Sequence, residues 1–152
     1  MKQLTGGAER VIRAPLEDCY ALLADPDGYP RWHPDLVRSV EVLERGDDDQ
    51  PIRARTRLRV SRGPLTHDFD IVLAVLLAPL RTVTLTRLAH ERRDREQFQM
   101  SWHLEPENSA TRIRLALDAT LSVPRLVPVG GIGNELAREF VAAAERALTR
   151  RG

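Results

Sequence analysis

Ile52-Arg53-Ala54-Arg55-Thr56-Arg57-Leu58-Arg59-Val60 carries an apolar or small side chain at every even position and arginine at every odd one. On a helix, steps of two residues would scatter those arginines around the axis. On a strand they line one face, because successive side chains point to opposite sides. The stretch reads as a strand with one face in water and one against a core. Ser61-Arg62-Gly63-Pro64 is a turn signal, and the alternation resumes over Leu65–Leu77. A four-residue loop there sets Val60 against Leu65, Arg57 against Asp68 and Arg55 against Asp70, so opposite charges meet on the outer face.

Outward from this hairpin the same period continues. Val37–Arg45 is a strand closed by Gly46-Asp47-Asp48-Asp49. Arg81–Leu88 follows the turn at Ala78-Pro79-Leu80, which places Leu73 opposite Leu85 and Ile71 opposite Arg87. Asp94–Glu105 and Thr111–Leu121 complete the series, with Pro106-Glu107-Asn108-Ser109 between them. Six strands joined by short connections make an antiparallel meander.

The two ends of the chain are different. Ala8–Arg13 reads as a short strand, and Pro15 suits the first position of a helix. Leu16, Cys19, Tyr20 and Leu23 form one apolar stripe of that helix, which Asp25-Pro26-Asp27-Gly28 stops. Tyr29–Pro34 holds a helical turn or two at most. Near the other end, Pro124 and Pro128 bracket a connector, and Gly130-Gly131-Ile132-Gly133 reads as a flexible lead into a helix capped by Asn134. Leu136, Phe140, Val141, Ala144 and Leu148 line one face of that helix. The whole is α+β, with the long C-terminal helix laid on one face of the sheet.

Composition narrows the function. A chain of 152 residues with 42% hydrophobic and 30% charged residues is the size and make-up of one ordinary soluble domain, 1–152. With 23 basic and 22 acidic residues the net charge is +1, so no global field draws nucleic acid or an anionic membrane. The arginine row Arg53, Arg55, Arg57, Arg59 faces Asp68 and Asp70 and is a solvated, ion-paired surface. Cys19 is the lone cysteine, which forbids an internal disulfide and suits a reducing compartment. No secretory apolar region opens the chain, and the run Ile71–Ala78 is far below the roughly 20 residues of a membrane span. The expected location is cytoplasmic. His33, His67, His90 and His103 lack metal-ligand spacing, the glycines at 130–133 do not follow a βαβ strand, and no G-x-S-x-G elbow is present. No metal and no cofactor is expected.

Parity assigns the face turned toward the helix: Ala54, Thr56, Leu58; Leu65, His67, Phe69, Ile71, Leu73; Val83, Leu85, Arg87; Glu96, Phe98, Met100, Trp102; Ile113, Leu115, Leu117, Ala119. Three members, His67, Arg87 and Glu96, are ionisable. A charge among Phe69, Ile71 and Phe98 costs several kcal/mol unless paired or wet. Arg87 and Glu96 either oppose each other across their hairpin or sit in water at its loop. His67 is either a strand-end histidine bonded to backbone or a polar group within a pocket, able to move a proton near neutral pH.

The stretch Ala14-Pro15-Leu16-Glu17-Asp18-Cys19-Tyr20-Ala21-Leu22-Leu23-Ala24-Asp25-Pro26, followed by Tyr29-Pro30-Arg31-Trp32-His33-Pro34 and Val40-Glu41-Val42-Leu43, resembles the opening of the SRPBCC superfamily. That superfamily includes START lipid-transfer domains, plant pollen allergens and polyketide cyclase/dehydrase-like proteins. The resemblance implies a helix-grip fold: a curved antiparallel sheet of about seven strands wrapped around a long C-terminal helix, with two short helices after the first strand. It also implies a cavity between sheet and helix for an apolar small molecule or lipid. Trp32, His67, Phe69, Leu85, Met100, Trp102 and Phe140 are the candidate ligand contacts, although Phe69, Met100 and Trp102 read more readily as core and Trp32 as a seal of the helix pair against the sheet. The superfamily shares no catalytic set, so none is carried over.

Three functions follow as expectations. The first is a module that binds or carries an apolar molecule or lipid. The second is a cofactor-independent cyclase or dehydratase using His67, Arg87 and Glu96, which requires those side chains to meet in one pocket. The third is an interaction protein, because Val72, Ala74 and Leu76 make the outer face of their strand apolar too and offer a surface for a homodimer.

Overall fold

The computed structural model describes residues 2–122 and 131–150. The connector expected between Pro124 and Pro128, and Gly130, lie outside the described residues. In chain order the elements are β1 (Lys2–Ile12), α1 (Leu16–Leu23), a 3-10 turn (Pro26–Gly28), α2 (Tyr29–Trp32), β2 (Val37–Arg45), β3 (Pro51–Arg62), β4 (Leu65–Ala78), β5 (Thr82–Arg87), β6 (Gln97–Glu107), β7 (Ala110–Leu121) and α3 (Ile132–Thr149). Strands β2 to β7 form the meander, and β1 closes against β7, giving the order β1-β7-β6-β5-β4-β3-β2 with every neighbour antiparallel. This seven-stranded curved sheet with its C-terminal helix is the helix-grip architecture.

The inward parity holds along every strand. Ala54, Leu73, Val83, Leu85, Met100, Trp102, Ile113, Leu115 and Ala119 are buried, and α3 meets them with Ala137, Phe140, Val141, Ala144 and Leu148. Two registers differ from expectation, each by two residues. Gly63 takes a φ of 58°, the positive value that a two-residue hairpin asks of its first central residue, so the turn is Gly63-Pro64 and Val60 pairs with His67. At the next turn Leu80, with φ of 65°, makes a three-residue loop that pairs Val75 with Leu85 and Leu73 with Arg87. An even shift leaves each face unchanged. The charges still meet: Arg59 sits opposite Asp68 at 2.8 Å, Arg57 opposite Asp70 at 3.8 Å, and Arg55 reaches Asp70 diagonally at 2.6 Å.

β1 is longer than its expected span from Ala8, and the reason lies in α3. A Cβ on Gly6 would stand 2.1 Å from the carbonyl carbon of Gly133, and one on Gly133 would stand 2.1 Å from the carbonyl oxygen of Thr5. The helix and strand backbones touch there. Gly133 thus lies within α3 as a packing contact, not in a flexible lead. Asn134 is not the helix cap either: Gly131, with φ of 76°, occupies that position, and the Asn134 Oδ1 accepts a hydrogen bond from the Gly7 N–H at 3.0 Å. At the first corner the Thr111 hydroxyl donates to the Ala14 carbonyl at 2.8 Å, tying the Ala14-Pro15 bend to β7.

Candidate functional site

Between the sheet and the start of α3 lies a cavity of about 90 Å³, several times the roughly 10–15 Å³ that a single water needs. Its wall on β3 is Thr56, Leu58 and Val60, and on β4 Leu65, Thr66, His67, Phe69 and Leu73. Leu85, Phe98, Met100 and Leu117 form the floor, and Leu136 and Phe140 of α3 the roof. Lys2 and Leu4 of β1 lie at the end where Leu65 is 38% exposed, so the cavity reaches the surface beside the β3–β4 hairpin. Tyr29 and Leu36, before β2, close another side. The polar side chains on the wall are Lys2, Tyr29, Thr56, Thr66 and His67, and the Tyr29 hydroxyl is already spent on the Leu23 carbonyl at 2.5 Å. Burial pushes the Tyr29 phenol well above its ordinary pKa, so it stays neutral.

His67, Phe69, Leu85, Met100 and Phe140 thus stand on the cavity wall. Trp32 and Trp102 do not. They pack behind Phe140, whose ring centroid lies 5.4 Å from Trp32, 5.3 Å from Trp102, 5.6 Å from Tyr29 and 4.9 Å from His33. Phe140 therefore lines the cavity with Trp32, Trp102 and His33 packed behind it, while Tyr29 touches its ring and also reaches the wall. His33, which the sequence reads as exposed between Trp32 and Pro34, is instead buried in this cluster with 6% exposure.

His67, Arg87 and Glu96 do not converge. His67 packs edge-on against Phe69 at 4.5 Å on the projecting hairpin. Arg87 opposes Leu73, six residues further along β4, or roughly 20 Å at 3.3 Å per residue. The Arg87 guanidinium is spent elsewhere, on the Asp94 carboxylate at 2.5 Å and the Glu96 backbone carbonyl at 2.8 Å. Its partly buried partner is Asp94, not the Glu96 side chain. The Arg87 bond, with backbone N–H donors from His90 and Glu96, holds the Asp94 carboxyl well below the usual range. This is a staple for the loop between β5 and β6. Among the described residues, no group of three or more His, Cys, Asp and Glu side chains is placed to hold a metal ion. Likewise, no helix of theirs is long and apolar enough to cross a membrane.

Several wall residues escaped the sequence reading. Leu4 and Lys2 lie in the half of β1 hidden by Gly6 and Gly7, while Leu36, Val37 and Val40 follow the broken helix pair. Thr56 carried a signal, being the one hydroxyl between Ala54 and Leu58 on an inward face.

A curved antiparallel sheet gripping a terminal helix over an apolar hollow defines the START-like, helix-grip class of proteins. Residues 12–145 match the family model described as polyketide cyclase / dehydrase and lipid transport, and the chain belongs to that family. No curated protein sequence matches the chain. Among solved structures, a START superfamily protein from Mycobacterium smegmatis superimposes with a TM-score of 0.74 at 17% identity, covering 97% of this chain and 99% of its own. A conserved protein from Geobacillus kaustophilus gives 0.73 at 13%, with 97% and 96% covered. The di-domain aromatase/cyclase StfQ of the steffimycin biosynthetic pathway gives 0.64 at 11%, covering 98% of this chain and 51% of that one. At these identities the likeness is one of fold.

Proposed function

We propose that the protein binds or carries a small apolar molecule or lipid in the cavity between the sheet and α3. The carrying observation is the wall itself: mostly leucine, valine, phenylalanine and methionine, open at one end beside the β3–β4 hairpin. A hollow of this kind favours an apolar guest, since each Å² of apolar surface removed from water contributes about 25 cal/mol. His67, Phe69, Leu85, Met100 and Phe140 are the contacts of the sequence reading that this proposal retains. Native mass spectrometry of protein isolated from its own host is expected to show a co-purifying apolar species that organic solvent strips away. A bare polypeptide mass, with no uptake of 8-anilinonaphthalene-1-sulfonate by the stripped protein, overturns the reading.

The cyclase/dehydratase alternative has less support, because only His67 of its three proposed groups lies on the wall. A second, compatible reading rests on a separate observation. Leu76 is 64% exposed on the outer face of β4, beside the half-buried Val72 and Ala74, and this apolar strip is proposed as the contact of a weak homodimer.

A further inference from the structure

The Thr56 hydroxyl is a buried polar group with no hydrogen-bond partner, and Thr56 is only 4% exposed. It stands between Val40 of β2 and Ile71 of β4, amid apolar neighbours on the inward face. Leaving such a group unpaired among apolar neighbours is destabilising, and valine would fill the same space without that cost. The position is also particular. Along β3 the cavity wall runs Val60, Leu58, Thr56 and stops there, since Ala54 is buried off the wall. Thr56 therefore marks the inner end of that strand's wall, four residues, or roughly 13 Å, from Val60 beside the hairpin opening. Rotation about one side-chain bond exchanges its methyl and hydroxyl, and a hydroxyl serves as donor or acceptor.

From this placement we infer that Thr56 is a specificity-determining residue: it receives a hydroxyl or carbonyl oxygen carried on the buried end of an otherwise apolar, elongated ligand. The inference rests on the ligand-binding reading above and specifies its chemistry. A wall without this hydroxyl would accept any apolar guest of the right shape, whereas a site built around one polar partner rejects the analogue that lacks it.

The test compares two guests of equal shape, 2-naphthol and 2-methylnaphthalene, each displacing 8-anilinonaphthalene-1-sulfonate from the purified full chain. Wild type is expected to prefer the naphthol about tenfold, the worth of one good hydrogen bond. Thr56→Val, which keeps the shape, is expected to bring the two within about twofold while still binding 2-methylnaphthalene. Thr56→Ser is expected to keep most of the preference, which separates the hydroxyl from any packing effect. If both compounds bind and the preference is absent in wild type, or survives in Thr56→Val, the role of Thr56 is overturned and the cavity reading stands. If neither compound nor the fluorophore binds wild type, the cavity reading falls and takes this inference with it.

Discussion

His33 is a titratable ring held where its charged form is penalised. It packs 4.9 Å from Phe140 and is stacked on Trp32, and burial lowers its pKa below the ordinary 6.5. Asp35 opposes that shift and Arg146 of α3 adds to it. In the unfolded chain the ring titrates near 6.5. Above that pH neither state takes up the proton, so stability does not depend on this group. Below it the unfolded chain binds a proton that the fold refuses, and stability falls until the folded pKa is reached. The loss is at most about 1.4 kcal/mol for each pH unit within that window. Urea midpoints are therefore expected to drop between pH 7.5 and 5.5 in wild type and to stay nearly level in His33→Gln. Equal slopes in the two proteins would show that His33 is not the group responsible. The Asp94 carboxyl, also depressed in the fold, loses its contribution only below the ordinary carboxylate range, so the two effects separate on the pH axis.

Among the elements, the contact between β1 and α3 sets how closely the helix grips the sheet. Glycine inside a helix is normally a liability, and alanine in its place gains up to about 1 kcal/mol. At Gly133 the sign is expected to reverse. The new methyl would meet the Thr5 carbonyl at 2.1 Å, and backbone cannot swing away as a side chain can. The helix must lift, straining the Gly7 to Asn134 bond. A loss of about 3 kcal/mol in urea unfolding is expected for Gly133→Ala, against about 1 kcal/mol for Asn134→Ala. A neutral or stabilising Gly133→Ala would mean the two backbones do not touch. This contact was illegible in the sequence, because Gly6 and Gly7 fell outside the strand expected from Ala8 and Gly133 read as part of a loose lead. Only a partner more than a hundred residues away explains them. The strands of the meander were legible because period two with one buried face admits no other reading. Their registers slipped by two because Gly63 and Leu80 choose turn types through positive φ, which alternation does not encode.

For the molecule as a whole, the face lining the cavity could be read from parity, but the membership of its wall could not. Trp32 and Trp102 were read both as candidate contacts and as packing, and they stand behind Phe140 as packing, a choice the sequence could not make since depth perpendicular to a sheet leaves no trace in a one-dimensional pattern. The outer face was easier, and it carries the last prediction. Among the described residues Leu76 is the most exposed large apolar side chain, and a two-fold contact would bury it twice, once from each copy. Fully burying one leucine gains roughly 1.5–3 kcal/mol, while association costs at least about 4 kcal/mol in lost freedom. The arginines and aspartates of β3 and β4 beside the strip add little, being paired within their own chain and screened. Two leucines therefore leave at most about 2 kcal/mol, and covering Val72 and Ala74 of both copies adds no more than about as much again, so the dissociation constant is no tighter than about the millimolar range. Sedimentation equilibrium is expected to show dimer only toward that concentration, with Leu76→Asp monomeric throughout and its cavity binding untouched. A dimer that already forms well below millimolar concentration, or one that Leu76→Asp leaves intact, rules this face out as the contact.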